Sequence, residues 1–341
     1  MDTIDTRKTD EWKENLERVL DGRTPDYLVV SHLEPDHAGS IKEFADKYPE
    51  AKIVASAKAI AMLPQFFEIA DLTDRAVAVK EGEELSLGSH TLQFFMAPMV
   101  HWPEVMVEYE KSEKILFSAD GFGKFGALDA DEDWACEARR YYFNIVGKYG
   151  AQVQALLKKA ATLDIQTICP LHGPILKEDL GYYIGKYMTW SSYEPEDDGV
   201  LVAYASIHGN TKKAAEKMKE ILEDKGAKKV AITDLSRDDM AEAIEDAFRY
   251  DKLVLAAASY DASVFPCMET FLNKLTNKNY QNRKIAIIEN GSWAPTAARV
   301  MKSYVEKMKK ITLCEKTVTI KSTMKDADVT AMKELADELL A

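Results

Sequence analysis

Six residues, His32-Leu-Glu-Pro-Asp-His37, place two imidazoles and two carboxylates directly after the apolar run Tyr27-Leu-Val-Val-Ser31. Imidazole nitrogens and carboxylate oxygens are ligands for first-row transition metals, so this density points to a metal site rather than a solvated loop. Pro35 cannot donate a ladder hydrogen bond, so a strand must stop near Glu34 and leave these side chains on a loop. Loops at the carboxyl ends of strands are where α/β folds build sites. Three later residues stand in similar settings, each after a strand or beside Pro and Gly: His101 in APMVHWPE, Asp120 in LFSADGFG and His172 in CPLHGP. Four of the six histidines fall in these segments, while His90 belongs to a turn and His208 to another motif.

A second set of loops suggests different chemistry. Ser206-Ile-His-Gly-Asn-Thr211 lies between an apolar strand, Val200 to Ala205, and a helix from Thr211 to Lys225. The hydroxyls of Ser206 and Thr211, with backbone N–H groups at a helix N-terminus, suit a phosphate, and Gly209 permits close backbone approach. Ser, Asn and Thr are equally ordinary N-cap residues. Two more loops follow later strands of the same half: Ser259-Tyr-Asp-Ala-Ser-Val-Phe-Pro266 and Asn290-Gly-Ser-Trp-Ala294. Tyr260, Phe265 and Trp293 supply aromatic faces there.

The elements that position these residues fall into two regimes, meeting at the polar, acidic stretch Ser191 to Gly199. We divide the chain into residues 1–195 and 196–341. Downstream, strands near residues 200, 230, 253, 285 and 318 alternate with helices, which predicts a doubly wound parallel sheet. Upstream, helices at Asp10–Leu20 and Gly39–Lys47 flank strands at Leu28–Ser31 and Ile53–Ala55. Short strands follow at Ala76–Val79, Thr91–Met96, Val105–Tyr109 and Ile115–Ser118, then a long helical segment from Asp133 to Ala161. Consecutive strands predict hairpins inside an α/β sandwich.

Composition narrows the classes. A net charge of -13 repels a nucleic-acid backbone, and no apolar run reaches the roughly 20 residues of a membrane span. The four cysteines, Cys136, Cys169, Cys267 and Cys314, form no C-x-x-C pair, so they offer no rubredoxin or zinc-ribbon site and read as reduced thiols. The N-terminus is charged and lacks the apolar core of a signal peptide, so a cytoplasmic protein is expected.

The order His32, Glu34, Asp36, His37, His101, Asp120, His172 resembles the metallo-β-lactamase superfamily signature over about residues 25 to 190, except that Glu34 replaces its second histidine. That carboxylate makes the site harder and more anionic, favouring an iron pair over zinc. H-x-E-x-D-H with a flavodoxin-like phosphate loop resembles the A-type flavodiiron proteins across nearly the whole chain. The resemblance implies an αββα metallo-β-lactamase-like sandwich followed by a flavodoxin-like five-stranded sheet. His32, Glu34 and His101 would hold one iron, Asp36, His37 and His172 the other, and Asp120 would bridge. FMN would lie on Ser206, Ile207, His208, Gly209, Asn210 and Thr211, between Ser259, Tyr260, Asp261, Ala262 and Phe265 and the loop Asn290, Gly291, Ser292, Trp293 and Ala294. Ala258 and Asp261-Ala262 depart from the family wording. The implied reaction reduces dioxygen to water or nitric oxide to nitrous oxide, in a head-to-tail homodimer fed by an external donor such as rubredoxin. Family members usually begin with a strand hairpin ahead of the equivalent of Met1–Thr6, so the expectation is a first domain lacking that hairpin, with an exposed sheet edge. Two other readings stand beside this one: a zinc hydrolase with a fused flavodoxin domain, and a flavin-only electron carrier.

Overall fold

A two-residue alternation explains the first half of the chain. Along β1 (Tyr27–Val30), Val29 faces one side and Leu28 and Val30 the other, and β2 (Lys52–Ser56) repeats this with Val54 against Ile53 and Ala55. In the computed structural model, which describes all 341 residues, both faces of these strands are covered. Together with β3 (Ala76–Val79) they form a parallel sheet, whose strands are apolar on both sides as burial on two faces requires. One face receives Ile41, Phe44 and Ala45 of the helix Ile41–Lys47, with Trp12 and Leu16 of the helix Thr9–Leu20 on the same cluster.

The other face meets a second sheet, where Val29, Val54 and Val79 pack with Leu92, Phe94 and Met106. This sheet runs in order through β4 (Glu84–Ser86), β5 (Thr91–Met96), β6 (Met106–Glu110), β7 (Ile115–Phe117) and β8 (Thr167–Cys169), antiparallel until the parallel β7–β8 pair. Its outer residues Phe95, Val107 and Leu116 lie toward Val153 and Leu157 of the helix Gly150–Ala160. The layers are those of the αββα sandwich expected. Asp2 is buried beside β1: its N–H donates to Val29 O at 2.8 Å, and its carboxylate accepts the Ser31 N–H at 2.8 Å and the Ser31 hydroxyl at 2.7 Å.

The second half has β9 (Asp197–Ala205), β10 (Val230–Asp234), β11 (Tyr250–Tyr260), β12 (Ser263–Val264), β13 (Gln281–Asn290) and β14 (Lys309–Ile320). The order β10-β9-β11-β13-β14 is parallel throughout, with β12 turning back on β11. Such an order places a ligand crevice at the β9/β11 switch point, outside the carboxyl ends of the strands. One face buries Met218, Ile221 and Leu222 of the helix Asn210–Asp224 and Met332, Leu335 and Leu339 of the helix Asp326–Leu340. No helix is long and apolar enough to cross a membrane.

Two compact units result: Met1–Glu132 with Ala151–Tyr187, and Asp133–Gly150 with Met188–Ala341. The long helical segment expected from Asp133 to Ala161 is divided into Trp134–Tyr141, a widened turn at Tyr142–Val146, a tight turn at Gly147–Tyr149, and Gly150–Ala160. Packing explains a break here, because a Cβ on Gly150 would collide with the Ser191 carbonyl oxygen and lie 2.8 Å from the Tyr193 ring. The stretch read as a polar linker holds the start of β9. There Asp197 pairs with Lys229 at 2.6 Å and Arg249 at 2.7 Å.

Candidate functional site

Each ligand-type residue of the first unit stands just beyond a strand. His32 and Glu34 follow β1, and Pro35 opens a short helix, Pro35–Ala38, that carries Asp36 and His37. His101 lies on the loop between β5 and β6, Asp120 follows β7, and His172 follows β8. The structure brings all seven together around Asp120, which is fully buried.

Asp120 divides the cluster in two. Its Oδ2 lies 3.0 Å from His101 Nε2 and 3.6 Å from His32 Nε2, and Glu34 Oε2 is 3.0 Å from the former and 3.6 Å from the latter. Its Oδ1 lies 3.5 Å from His37 Nε2 and 3.4 Å from His172 Nε2, and Asp36 oxygens are 3.4 Å and 3.1 Å from those nitrogens. One half is therefore His32, Glu34 and His101; the other is Asp36, His37 and His172.

The electrostatics are those of a cation site. Burial depresses the basicity of His32, but Glu104 and Glu34 outweigh it and hold its pKa up near about 9. Burial acts likewise on His101 and His172, where Asp120 with Glu34 or Asp36 raises them to about 9 and about 10. His101 and His32 hold Glu34 down at about 2. Burial works against the ionised form of Asp120, yet His101, His172 and His37 keep its carboxyl well below the usual range. Despite this crowding, His32 Nε2, His37 Nε2, Asp36 Oδ1 and both oxygens of Asp120 are buried without a well-aligned hydrogen bond. Buried polar atoms without partners are costly, and here they converge from two sides on one carboxylate. Four imidazoles and three carboxylates so arranged fit two metal ions sharing Asp120.

One contributor escapes sequence reading. Glu104, 1% exposed, sets Oε1 2.7 Å from His32 Nδ1 and accepts the Leu33 N–H at 3.0 Å. A carboxylate on Nδ1 leaves Nε2 as the ligand nitrogen facing the cluster. Ser56, at the end of β2, in turn donates to the Glu104 carbonyl at 2.7 Å. The available signal was the acid three residues after His101, in a segment otherwise rich in Pro and apolar residues.

In the second unit the three flavin-type loops converge at the carboxyl ends of β9, β11 and β13 around a cleft of about 410 Å³, within the 300–1,000 Å³ typical of small-molecule sites. All the candidate residues line it except Gly209 and Phe265. Gly209 is the N-cap of the helix Asn210–Asp224, at φ 86°, and nothing lies within 4 Å of where its Cβ would be. Its N–H donates to Ser206 Oγ at 3.1 Å, and no side chain caps the helix, so the N–H groups of the first turn remain for an anion. Phe265 instead stands edge-on to Tyr260, at 5.6 Å between ring centres.

Two of the lining residues are committed to holding the loops. Ser259 Oγ accepts the Thr296 and Ala297 N–H groups at 2.8 and 3.2 Å, and Asn290 exchanges hydrogen bonds with the Ser322 backbone at 2.9 and 3.0 Å. Asp261 and Ala262, both at positive φ, make the two-residue hairpin between β11 and β12. Tyr260 and Trp293 stand 49% and 93% exposed at the rim, free to cover a planar ring. Ala258, Thr296 and Ser322 also line the cleft and were missed. Ser322 was within reach of the sequence, as it follows the fifth strand of the parallel sheet.

Known proteins match both halves. The ODP family beta lactamase profile covers residues 1–173 and a flavodoxin domain profile covers residues 201–320. An uncharacterized protein of Methanocaldococcus jannaschii is 33% identical over 247 residues, 69% of this chain and 62% of that one. An anaerobic nitric oxide reductase flavorubredoxin of Aeromonas hydrophila is 27% identical over 304 residues, 86% of this chain and 61% of that one. The chain thus spans about three fifths of these curated relatives, at 62% and 61%. Among solved structures, the rubredoxin oxygen:oxidoreductase of Desulfovibrio gigas superposes with a TM-score of 0.89 at 25% identity, covering 99% of this chain and 86% of that one. A flavoprotein of Thermotoga maritima gives 0.88 at 25% identity, covering 100% and 86%.

Proposed function

We propose, from the premise that this chain belongs to the flavodiiron proteins, an ODP-type β-lactamase domain joined to a flavodoxin domain, that it reduces dioxygen to water, nitric oxide to nitrous oxide, or both. The observation that carries this reading is the donor set: Glu34 supplies an oxygen where the metallo-β-lactamase signature it resembles has its second histidine, and Asp120 presents one oxygen to each half of the cluster. A harder, more anionic site favours iron over zinc. His32, Glu34 and His101 would hold one iron, Asp36, His37 and His172 the other, with Asp120 between them. FMN would place its phosphate on Ser206 to Thr211 and its ring between Tyr260 and Trp293. Bound there, the two groups supply one-electron chemistry to a small diatomic substrate.

The chain's own residues do the rest. Glu104 orients His32, burial keeps His32 and Asp120 from bulk water while Glu34, Asp36 and His172 stay partly exposed, and the uncapped helix start would neutralise phosphate charge without a lysine. We place the sequence boundary between the two modules at 195/196; the profile matches fall on either side of it. Electrons would come from a carrier such as rubredoxin, the redox partner in the name of the Desulfovibrio gigas oxidoreductase on which this chain superposes. A head-to-tail homodimer in the cytoplasm, pairing the flavin of one subunit with the irons of its partner, completes the reading. The exposed Tyr260 and Trp293 at the cleft rim support it.

Protein from iron-replete medium should carry about two irons and one FMN per chain, and consume dioxygen or nitric oxide when given reduced rubredoxin. Stoichiometric zinc, or full metal and flavin loading without gas consumption, would overturn the assignment. Mixing a Glu34 variant lacking iron with a Thr211 variant lacking FMN should restore activity. Mixed dimers that form and stay inactive would remove the transfer between subunits.

A further inference from the structure

Behind the metal cluster, the outer face of the second sheet and the helix Gly150–Ala160 do not close completely. Between Phe95, Val107 and Leu116 on one side and Val153, Leu157 and Ala160 on the other lies a cavity in which the centre of a water-sized sphere can move over about 20 Å³. A water-sized sphere itself occupies roughly 10–15 Å³, and since its centre is free to move here, the space is larger than a single water.

Its chemistry excludes water as the natural occupant. A buried water needs two to four polar partners, and apolar cavities without them stay dry. The polar side chains that reach this wall are already engaged. Ser118 Oγ donates to Gly121 O at 2.6 Å, Tyr187 Oη accepts the Phe122 N–H at 2.7 Å, and Lys159 Nζ binds Glu81 and Met96 O, each at 2.9 Å.

Its position connects it to the chemistry. Part of the wall is Val100, Gly121 and Phe122, each within two residues of His101 or Asp120 in sequence, and Val100 and Phe122 are buried. Elsewhere on the lining Phe95, Ala160 and Leu163 are only half-buried. The lining thus joins half-buried residues to the backbone beside two of the cluster's candidate ligands.

We propose that this cavity is a binding site and access route for a small apolar gas, of the dioxygen or nitric oxide class, separate from the water-facing side of the cluster. This rests on the reading of the cluster as a reductase of such gases. An uncharged diatomic loses little on leaving water and gains dispersion contacts along the aliphatic walls, whereas ions and water are turned away.

The test is xenon and kinetics on the intact protein. Crystals pressurised with xenon should show it between Leu116 and Leu157. Ala160→Phe, and independently Leu163→Trp at another half-buried lining position, should abolish that xenon. They should also lower kcat/KM for dissolved gas about tenfold, within the ~1–3 decades over which on-rates vary among mutants of one site. The kcat at saturating gas and the rate of flavin reduction by the donor should stay as in the parent. Having two variants guards against one that fails to fold, which circular dichroism identifies. Absence of xenon from the parent cavity, or unchanged kcat/KM in a folded variant that has lost xenon, overturns the proposal. If the parent reduces neither gas, the functional reading fails instead, and xenon still decides whether the cavity binds an apolar gas.

Discussion

Replacing Glu104 by Gln should weaken metal binding about tenfold without unfolding the protein. Glu104 acts through one oxygen, Oε1, which lies 2.7 Å from His32 Nδ1 and accepts the Leu33 N–H at 3.0 Å, while its Oε2 is buried without a hydrogen-bond partner. Although burial favours its neutral form, the His32 imidazole keeps the Glu104 carboxyl below its ordinary value, so the bond is charge-assisted. Gln keeps an acceptor oxygen and the shape but loses the charge. Hydrogen bonds to charged groups contribute about 1.5–3 kcal/mol against about 0.5–1.5 for neutral ones, a difference near 1.4 kcal/mol, which is about tenfold in affinity. Glu104→Leu is harsher, since it leaves two buried N–H groups unpaired at about 1–3 kcal/mol each, and metal affinity should fall toward the ~100-fold limit for such supporting residues. Apoprotein titrated with iron(II) against a chelator of known affinity gives the ratio, and flavin occupancy serves as the control because the cleft belongs to the other unit. Unchanged affinity in Glu104→Gln, or flavin lost in parallel with metal, would refute the argument that Glu104 acts by orienting and polarising His32.

Glu34→His should move metal preference toward zinc and abolish gas reduction, read by elemental analysis after growth with both metals. Changing Asn210 and Thr211 to bulky apolar residues should fill the cradle and release FMN while iron stays bound, seen as loss of the visible flavin bands at unchanged iron. Glu108 is wholly buried, and burial followed by the charge of Asp2 pushes its carboxyl well above the usual range. A folded pKa above the unfolded one gives stability that is complete below about pH 4.3 and is lost as pH rises toward the folded value. Glu108→Gln should therefore raise the melting temperature of the first unit more at pH 8 than at pH 5, and an equal shift at both would refute it. Ala262→Gly should stabilise the second unit by about 0.4–1 kcal/mol, because Ala262 sits at φ 55° where glycine is unstrained; denaturant titration measures it.

What the sequence revealed and what it hid follow from the range of the interactions. Glu34, Asp36 and His37 share one loop with His32, so their spacing was visible. Glu104 reaches His32 across a separation of 72 residues, and only the pairing of two sheets brings them together. Ser259 and Asn290, read as flavin contacts by position, line the cleft and also give their side chains to neighbouring backbone. Phe265 is on the same loop but stands edge-on to Tyr260 and does not line the cleft. β4 and β8 are only Glu84–Ser86 and Thr167–Cys169, too short for alternation to register, and they exist because β5 and β7 offer edges to pair with. The break at Gly147 and Gly150 is likewise set by what packs there, Phe143 against the first and Ser191 and Tyr193 against the second, rather than by local propensity.

The two sites set opposite electrostatic problems, and each is left unbalanced by the protein alone. Around Asp120 the chain gathers the carboxylates of Glu34, Asp36, Asp120 and Glu104 in or beside a buried pocket, and answers them only with imidazoles. Imidazoles neutralise such a set only by taking up protons, whereas two divalent cations do so directly and also use the nitrogen and oxygen atoms left without hydrogen bonds. At the other site the helix starting at Asn210 presents the positive end of its dipole with no side-chain cap, and no lysine or arginine lines the cleft. A dianionic phosphate suits that end because backbone N–H groups can meet it at close range, with Gly209 leaving the approach open. A fold that tolerated neither imbalance would have capped the helix with Ser or Asp and filled the pocket with apolar side chains. That both imbalances persist in one chain, at the carboxyl ends of strands in each unit, is the physical reason to read it as built around two bound groups rather than one.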